Sequence, residues 1–151
     1  MSCEDCLSRR AFLAKSTLAV ASVAALTAGC GDGQIGGVGA TGPLPTGLTL
    51  KVSTVPALAN VNVLALHPTD GRVAIKRTGP TTFLALSTTC THEGTRIDIV
   101  NGATSFECPN HGSRFDSDGN VTRGPNAAGS VSKLPILATS YNATTDILTI
   151  G

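Results

Sequence analysis

The sequence predicts an all-β domain over residues 48–151, an antiparallel sandwich or barrel with a small subdomain built around one hairpin. Two observations predict this fold. From Leu48 onward, short runs of aliphatic and β-branched residues alternate with turn residues such as Pro56 and Gly79-Pro80. Helical periodicity is absent after residue 30, so no long amphipathic helix is expected there. Many short strands at this spacing are typical of sandwiches and barrels.

The predicted strands follow the chain in order, each bounded by a turn signal. Asn101-Gly102 is a strong hairpin turn because both residues tolerate a positive φ, and it joins two of the strands. The predicted strands are Leu48–Ser53, Val61–Leu66, Val73–Lys76, Thr82–Ser87, Arg96–Val100, Thr104–Cys108, Leu134–Tyr141 and Ile147–Ile150. The aromatic fraction is only 3%, so the core must consist mainly of aliphatic side chains and threonine methyl groups.

Two short boxes flank the predicted hairpin, and each contains one cysteine and one histidine. The first reads Cys90-Thr91-His92-Glu93-Gly94-Thr95, and the second reads Cys108-Pro109-Asn110-His111-Gly112-Ser113. Two thiolates and two imidazoles are the ligands of a [2Fe–2S] centre in which histidines hold one iron. A structural zinc site is the alternative, but zinc sites usually group two cysteines on one loop. The mixed grouping favours the iron–sulfur interpretation.

The two boxes resemble those of the Rieske iron–sulfur family, and the similarity extends from about Leu48 to Ile150. The resemblance implies a Rieske-type antiparallel fold with a cluster-binding subdomain and one Rieske [2Fe–2S] cluster per chain. It implies that Cys90 and Cys108 bind the inner iron and that His92 and His111 bind the outer iron. In quinol-oxidising relatives, the histidine at the position of His111 meets the substrate hydroxyl.

Further features of the family are only partly present. Respiratory members join the two boxes with a disulfide, but its positions hold Thr95 and Asn110 here. Ser113 matches a hydrogen-bond donor to the cluster, whereas Phe115 lacks the hydroxyl of the tyrosine common there. The resemblance therefore implies a potential below that of the high-potential members. Gly124-Pro125 resembles the proline loop that covers the cluster.

The amino terminus reads as an export segment over residues 1–30. Arg9 and Arg10 precede the weakly apolar stretch 16–28, which resembles a twin-arginine signal, although an ordinary secretory signal remains the alternative. Leu26-Thr27-Ala28-Gly29-Cys30 resembles a lipobox with a displaced leucine, so we expect lipidation at Cys30 first. A retained anchor and soluble release are the other outcomes. Each places the folded domain on the periplasmic side.

Residues 31–47 and the overall charge complete the description of the chain. The segment 31–47 is rich in glycine and proline and predicts a flexible tether. Lys and Arg total 11 against 10 Asp and Glu, so no basic stripe suggests nucleic acid. Cys3 and Cys6 precede the arginine pair and are interpreted as incidental. The third histidine, His67, has no second ligand near it and is predicted to be a surface turn residue.

The leading functional hypothesis is a membrane-tethered one-electron carrier of the Rieske type. It fits the iron–sulfur subunit of a cytochrome bc-like quinol oxidoreductase, a small subunit of an exported oxidase, or a free carrier. Its partners would then be a cytochrome b or c or an oxidase large subunit, with quinol as a further candidate. It would act as an oxidoreductase only within a larger complex. The alternative is an interaction module stabilised by zinc or by a cluster, without redox turnover.

Overall fold

The computed structural model describes residues 42–151, and these residues form antiparallel sheets with two short 3-10 turns. The predicted export segment with Cys30, and the tether as far as residue 41, lie outside the described residues. Among residues 42–151, no helix has the length and apolar character needed to cross a bilayer. The strands are β1 Leu48–Lys51, β2 Leu64–Leu66, β3 Val73–Arg77, β4 Phe83–Ser87, β5 Asp98–Val100, β6 Ser105–Glu107, β7 Arg114–Asp116, β8 Val121–Arg123, β9 Ile136–Leu137, β10 Thr139–Asn142 and β11 Ile147–Ile150.

The strands form three sheets, and the predicted all-β antiparallel class is confirmed. The first sheet has the order β1-β11-β10, the middle sheet β2-β3-β4-β9, and the third sheet β5-β6-β7-β8. The third sheet is a meander of neighbouring strands, so it forms the small subdomain predicted around the hairpin. Val100 pairs with Ser105 across residues 101–104, which confirms the hairpin at Asn101-Gly102.

The middle sheet packs against a core on each of its two faces. Because successive side chains of a strand point in opposite directions, neighbouring residues of β3 enter different cores. Val73 and Ile75 of β3 pack into a core shared with the first sheet. Ala74, between them, packs into a second core that contains Phe106 and Phe115 of the third sheet. The middle sheet therefore serves as the base on which the third sheet is packed.

A buried charge also links the middle sheet to the third sheet. Lys76 of β3 is almost fully buried, and its Nζ donates to Asp118 Oδ1 at 2.6 Å and to Ser117 Oγ at 3.0 Å. Both partners lie in the turn between β7 and β8. Because a buried ammonium group needs paired acceptors, this contact fixes the turn against the base.

Several predicted strand boundaries were wrong, each for a local reason. The first strand ends at Lys51 because Val52–Thr54 forms a 3-10 turn. The second begins only at Leu64, after Asn62 takes a left-handed φ of 63°. The predicted run Leu134–Tyr141 divides into β9, paired with β4, and β10, paired with β11, so the chain changes sheet at this point. Strands β7 and β8 were not predicted.

His67 is buried, so its predicted position at the surface was wrong. Its exposed fraction is 3%, and its Nδ1 accepts a hydrogen bond from the Thr69 N–H at 3.3 Å. Its Nε2 has no partner among the described residues. The turn that follows His67 brings Thr69 against the imidazole. Pro68 and Gly71 predict a turn here, but they do not predict that it buries His67.

Candidate metal centre

The two boxes form loops at one end of the third sheet. Each loop is closed by two backbone hydrogen bonds, and the two loops have these bonds at equivalent positions. In the first, Gly94 N–H donates to Cys90 O at 2.8 Å and Cys90 N–H donates to Thr95 O at 2.7 Å. In the second, Gly112 N–H donates to Cys108 O at 2.9 Å and Cys108 N–H donates to Ser113 O at 2.8 Å. Both glycines have positive φ, 72° and 67°, which allows the tight turn.

This shared geometry has a signal in the sequence. Each cysteine is followed four positions later by a glycine, although the histidine lies at different spacings. The glycine, rather than the histidine, therefore defines the equivalent turn in both loops. Each turn directs one cysteine inward and leaves one histidine nearer the surface.

The loops bring the four predicted ligand residues together. Cys90 and Cys108 are both buried in the core that contains Phe106 and Phe115. The Nδ1 atoms of His92 and His111 lie 3.2 Å apart, and the two rings meet edge to face with centroids 5.0 Å apart. Two nitrogens bound to one tetrahedral metal ion at about 2.1 Å are about 3.4 Å apart, so the imidazole pair has the spacing of a metal site.

The two thiols are neighbours in an apolar environment. Burial raises the pKa of the Cys90 thiol, and the adjacent Cys108 sulfur raises the pKa further. The backbone N–H groups of His92 and Glu93 act in the opposite direction, because they donate toward the Cys90 sulfur and stabilise its thiolate. Metal ligation requires the thiolate, so binding would release protons here.

One ring nitrogen of His92 is held by the backbone of a distant segment. Its Nε2 lies 2.9 Å from Ala128 O, and a carbonyl oxygen can only accept, so this nitrogen carries the proton. The Nδ1 lone pair of His92 is therefore directed away from this contact and remains available to a metal. The side chain of His92 is only 6% exposed, whereas that of His111 is 28% exposed.

Ser113 provides a further test of whether an iron–sulfur cluster fits here. Its side chain is fully buried, and its Oγ has no hydrogen-bond partner among the described residues. An unpaired buried hydroxyl costs about 1–3 kcal/mol. A cluster sulfur between the loops would accept this hydrogen bond. The orphaned hydroxyl, two buried thiols and two converging imidazoles together fit the group.

The segment after β8 contacts the site through residues just beyond the predicted Gly124-Pro125. Asn126 N–H donates to His111 O at 2.8 Å, and Ala128 O meets His92. Gly124 has open space around it. The involvement of Gly124 and Pro125 in cofactor binding thus stays a prediction, while Asn126 and Ala128 are contacts that the sequence did not reveal.

The backbone of Gly129 lies so close to the His92 ring that a side chain has no room there. A Cβ at this position would lie 2.6 Å from His92 Nε2, and φ is +115°. We expect Gly129→Ala to displace the His92 ring and to lower the cluster content of the purified protein several-fold, since left-handed backbone alone costs about 1–2 kcal/mol for alanine. Visible absorbance per chain measures this content. Gly124→Ala, in the same segment with open space, is the control and should match the wild type.

The carboxylate of Glu93 lies near both histidines. Its Oε2 lies 3.5 Å from His111 Nδ1, and its Oε1 lies 3.9 Å from His92 Nε2. Asn110 Nδ2 donates to Glu93 Oε2 at 3.2 Å. One carboxylate therefore contacts residues of both boxes.

Comparison with known proteins gives concordant matches. The family model of the Rieske [2Fe-2S] domain matches residues 49–140. The cytochrome b6-f complex iron-sulfur subunit of Parasynechococcus marenigrum (strain WH8102) is 32% identical over 91 residues, 52% of this chain and 51% of that protein. The subunit of the same name from Synechococcus sp. (strain CC9605) is 53% identical over 36 residues, 24% of this chain and 20% of that protein.

A solved structure was also matched. The cyanobacterial plasma membrane Rieske protein PetC3 from Synechocystis PCC 6803 is 26% identical, with a TM-score of 0.44, over 58% of this chain and 83% of that chain. The present chain spans about half the length, or less, of the curated relatives that it matches.

Proposed function

We propose, because the chain belongs to the Rieske [2Fe-2S] domain family, that it carries single electrons between partner proteins on the outer side of the cytoplasmic membrane. Electron transfer of the Rieske type and the [2Fe–2S] cluster follow from membership of the family. The observation that best supports the proposal is the approach of the His92 and His111 Nδ1 atoms to 3.2 Å in loops whose cysteines are buried neighbours.

Each ligand residue has a distinct proposed role. When bound, the cluster takes up and releases one electron at a time. Cys90 and Cys108 hold it as thiolates inside the apolar core, which excludes water from the sulfurs. His92 and His111 hold it through Nδ1 as neutral imidazoles, and this lowers the negative charge of the site compared with four thiolates. Ser113, whose side chain is fully buried, would donate its hydroxyl to the cluster and stabilise the more negative, reduced state.

His111 is the side chain through which we propose that a partner exchanges electrons. Of the two imidazoles, it is the more exposed, because Ala128 and Gly129 lie against His92. A partner that docks over the second box would therefore approach the site at the His111 ring edge. Coverage of His92 makes the two imidazoles unequal, although both are proposed ligands.

The partners are proposed from the relatives and from the amino-terminal pattern. The similar subunits belong by name to cytochrome b6-f complexes, which supports a cytochrome b or c as partner and quinol as a candidate donor. A large subunit of an exported oxidase is the other proposed partner. The export segment 1–30 and the tether 31–47 would attach the domain to the membrane at its periplasmic face.

The proposed export and anchoring can be separated by two variants. We expect the double variant Arg9→Lys, Arg10→Lys to leave the full chain in the cytoplasm, because the export receptor reads the arginine pair. Cys30→Ala should let the protein be exported but release it from the membrane fraction, because the lipid is lost. Fractionation and immunoblotting measure both. Export of the lysine variant would contradict the twin-arginine assignment, and an unchanged membrane fraction for Cys30→Ala would favour a retained anchor.

The proposed electron transfer is tested by redox titration of the full chain. We expect a single wave that fits one electron in the visible spectrum, with a midpoint between about −150 and +300 mV. Stopped-flow mixing with a reduced quinol analogue and with a reduced c-type cytochrome then compares the two classes of donor. A protein that shows no wave and is reduced by neither would contradict the proposed function.

A further inference from the structure

Among the polar contacts between the two cysteine–histidine loops, one hydrogen bond joins the exposed side chains of Glu93 and Asn110. Glu93 follows His92 in the first loop, and Asn110 precedes His111 in the second. Asn110 Nδ2 donates to Glu93 Oε2 at 3.2 Å. Each residue is the immediate neighbour of a proposed histidine ligand. The hydrogen bond therefore links the residue that follows one imidazole to the residue that precedes the other.

Each loop is closed by its own backbone bonds, but these bonds do not fix one loop against the other. The described cysteines, Cys90 and Cys108, are both free thiols, so no disulfide joins the loops within residues 42–151. Four donor atoms converge only while both loops keep their relative position. A contact between the loops is therefore needed at the open, surface side of the site, where the apolar core does not hold them.

The carboxylate of Glu93 is placed to act on both imidazoles as well as on Asn110. It lies 3.5 Å from His111 Nδ1 and 3.9 Å from His92 Nε2. The side chain is 54% exposed, so the contact with Asn110 is what holds the carboxylate at this position rather than in solvent. A fixed negative charge beside the outer imidazoles also disfavours the addition of an electron nearby.

We propose that Glu93 and Asn110 form a polar clamp with two effects, which rests on the function proposed above. The hydrogen bond retains the cluster by holding the two loops together, and the carboxylate lowers the midpoint potential. Asn110 is a positioning residue, since it acts through Glu93. The clamp makes retention and potential separable, because the hydrogen bond and the charge can be removed one at a time.

Three variants separate the two effects. Asn110→Ala removes the hydrogen bond and keeps the charge. Glu93→Gln removes the charge but leaves an amide oxygen that accepts from Asn110, and Glu93→Ala removes both. Asp98→Asn is the matched control, since it neutralises an exposed carboxylate on β5 of the third sheet, outside the two loops. All are made in the full chain and purified with the cluster.

Retention is measured as the loss of visible absorbance in the presence of an iron chelator. We expect Asn110→Ala and Glu93→Ala each to lose absorbance about three- to tenfold faster than wild type. This factor corresponds to the stabilisation that a partly exposed hydrogen bond to a charged acceptor contributes. The variant with both alanines should be no faster than either alone, because one contact is removed in each case. Glu93→Gln and Asp98→Asn should stay within about twofold of wild type.

The midpoint potential provides a readout that a purely structural role would not move. We expect Glu93→Gln to have a higher potential than wild type, and Asp98→Asn to match wild type. Retention of Asn110→Ala equal to that of Asp98→Asn would overturn the clamp, as would a double alanine variant with additive loss. An unchanged potential in Glu93→Gln would overturn the role of the charge. A wild-type chain without iron would instead refute the proposed function itself.

Discussion

The variant His111→Ala is expected to purify without a cluster and to give no paramagnetic signal after reduction. Removal of this ring deletes one of the two nitrogens that lie 3.2 Å apart and leaves the outer metal position with a single imidazole. The loss should be complete rather than graded, because His67, the other described histidine, is not among the residues whose ligand atoms converge here. Iron content per chain and electron paramagnetic resonance measure the outcome.

His67→Gln is the control for this prediction. It removes the third histidine from a buried site and should leave the iron content and the signal at wild-type values. If His111→Ala retained its cluster while folding normally, the second box would not supply the nitrogen ligand and the proposed ligand set would be wrong.

The second large effect is expected at Ser113. Because its buried hydroxyl has no protein partner among the described residues, we expect it to donate to the cluster. A hydrogen bond to a charged acceptor contributes about 1.5–3 kcal/mol, and 59 mV corresponds to about 1.4 kcal/mol for one electron. Ser113→Ala should therefore lower the midpoint potential by about 60–130 mV, measured by redox titration, with little change in cluster content.

Phe115 offers the reciprocal change on the neighbouring strand β7. Its ring is fully buried in the core that contains both cysteines. Phe115→Tyr would add a donor there and is expected to raise the potential by about 30–60 mV. Phe83→Tyr, in the other core, is the control and should leave the potential unchanged. A potential that did not move in either Ser113→Ala or Phe115→Tyr would contradict the placement of both residues against the cluster.

The four candidate ligands are predictable from the sequence because their pattern is local. Each cysteine and its histidine lie within four residues, and the intervening Asn101-Gly102 turn predicts that a hairpin brings the two boxes to one end. The structure places the four side chains together, and their role as ligands stays a proposal that His111→Ala tests.

The missed elements depend on contacts between distant segments. Strand β8 is exposed throughout, and β7 is only three residues long with Phe115 as its one buried residue, so neither shows an alternating pattern long enough to predict a strand. The cover over His92 depends on Ala128 and Gly129, which look like ordinary loop residues. His67 was misplaced for the same reason, since burial by a folded-back turn leaves no mark in the local pattern.

Glu93 shows most clearly what the sequence alone does not predict. A charged residue beside a motif is usually solvated, and sequence alone left that alternative open. Only the position of Asn110, on the other loop, distinguishes a clamp from a rim. The residues that tune and retain a metal centre are thus harder to predict than its ligands, because they act through pairs that are separated in the chain.

We propose that two cysteines and two histidines of this chain hold an iron–sulfur cluster. The most direct test is to purify the full chain anaerobically and to determine iron, acid-labile sulfide and zinc per chain, with electron paramagnetic resonance before and after reduction. We expect about two iron and about two sulfide per chain, visible colour, and a signal that appears only on reduction. A colourless protein with about one zinc per chain and no signal on reduction would contradict the claim.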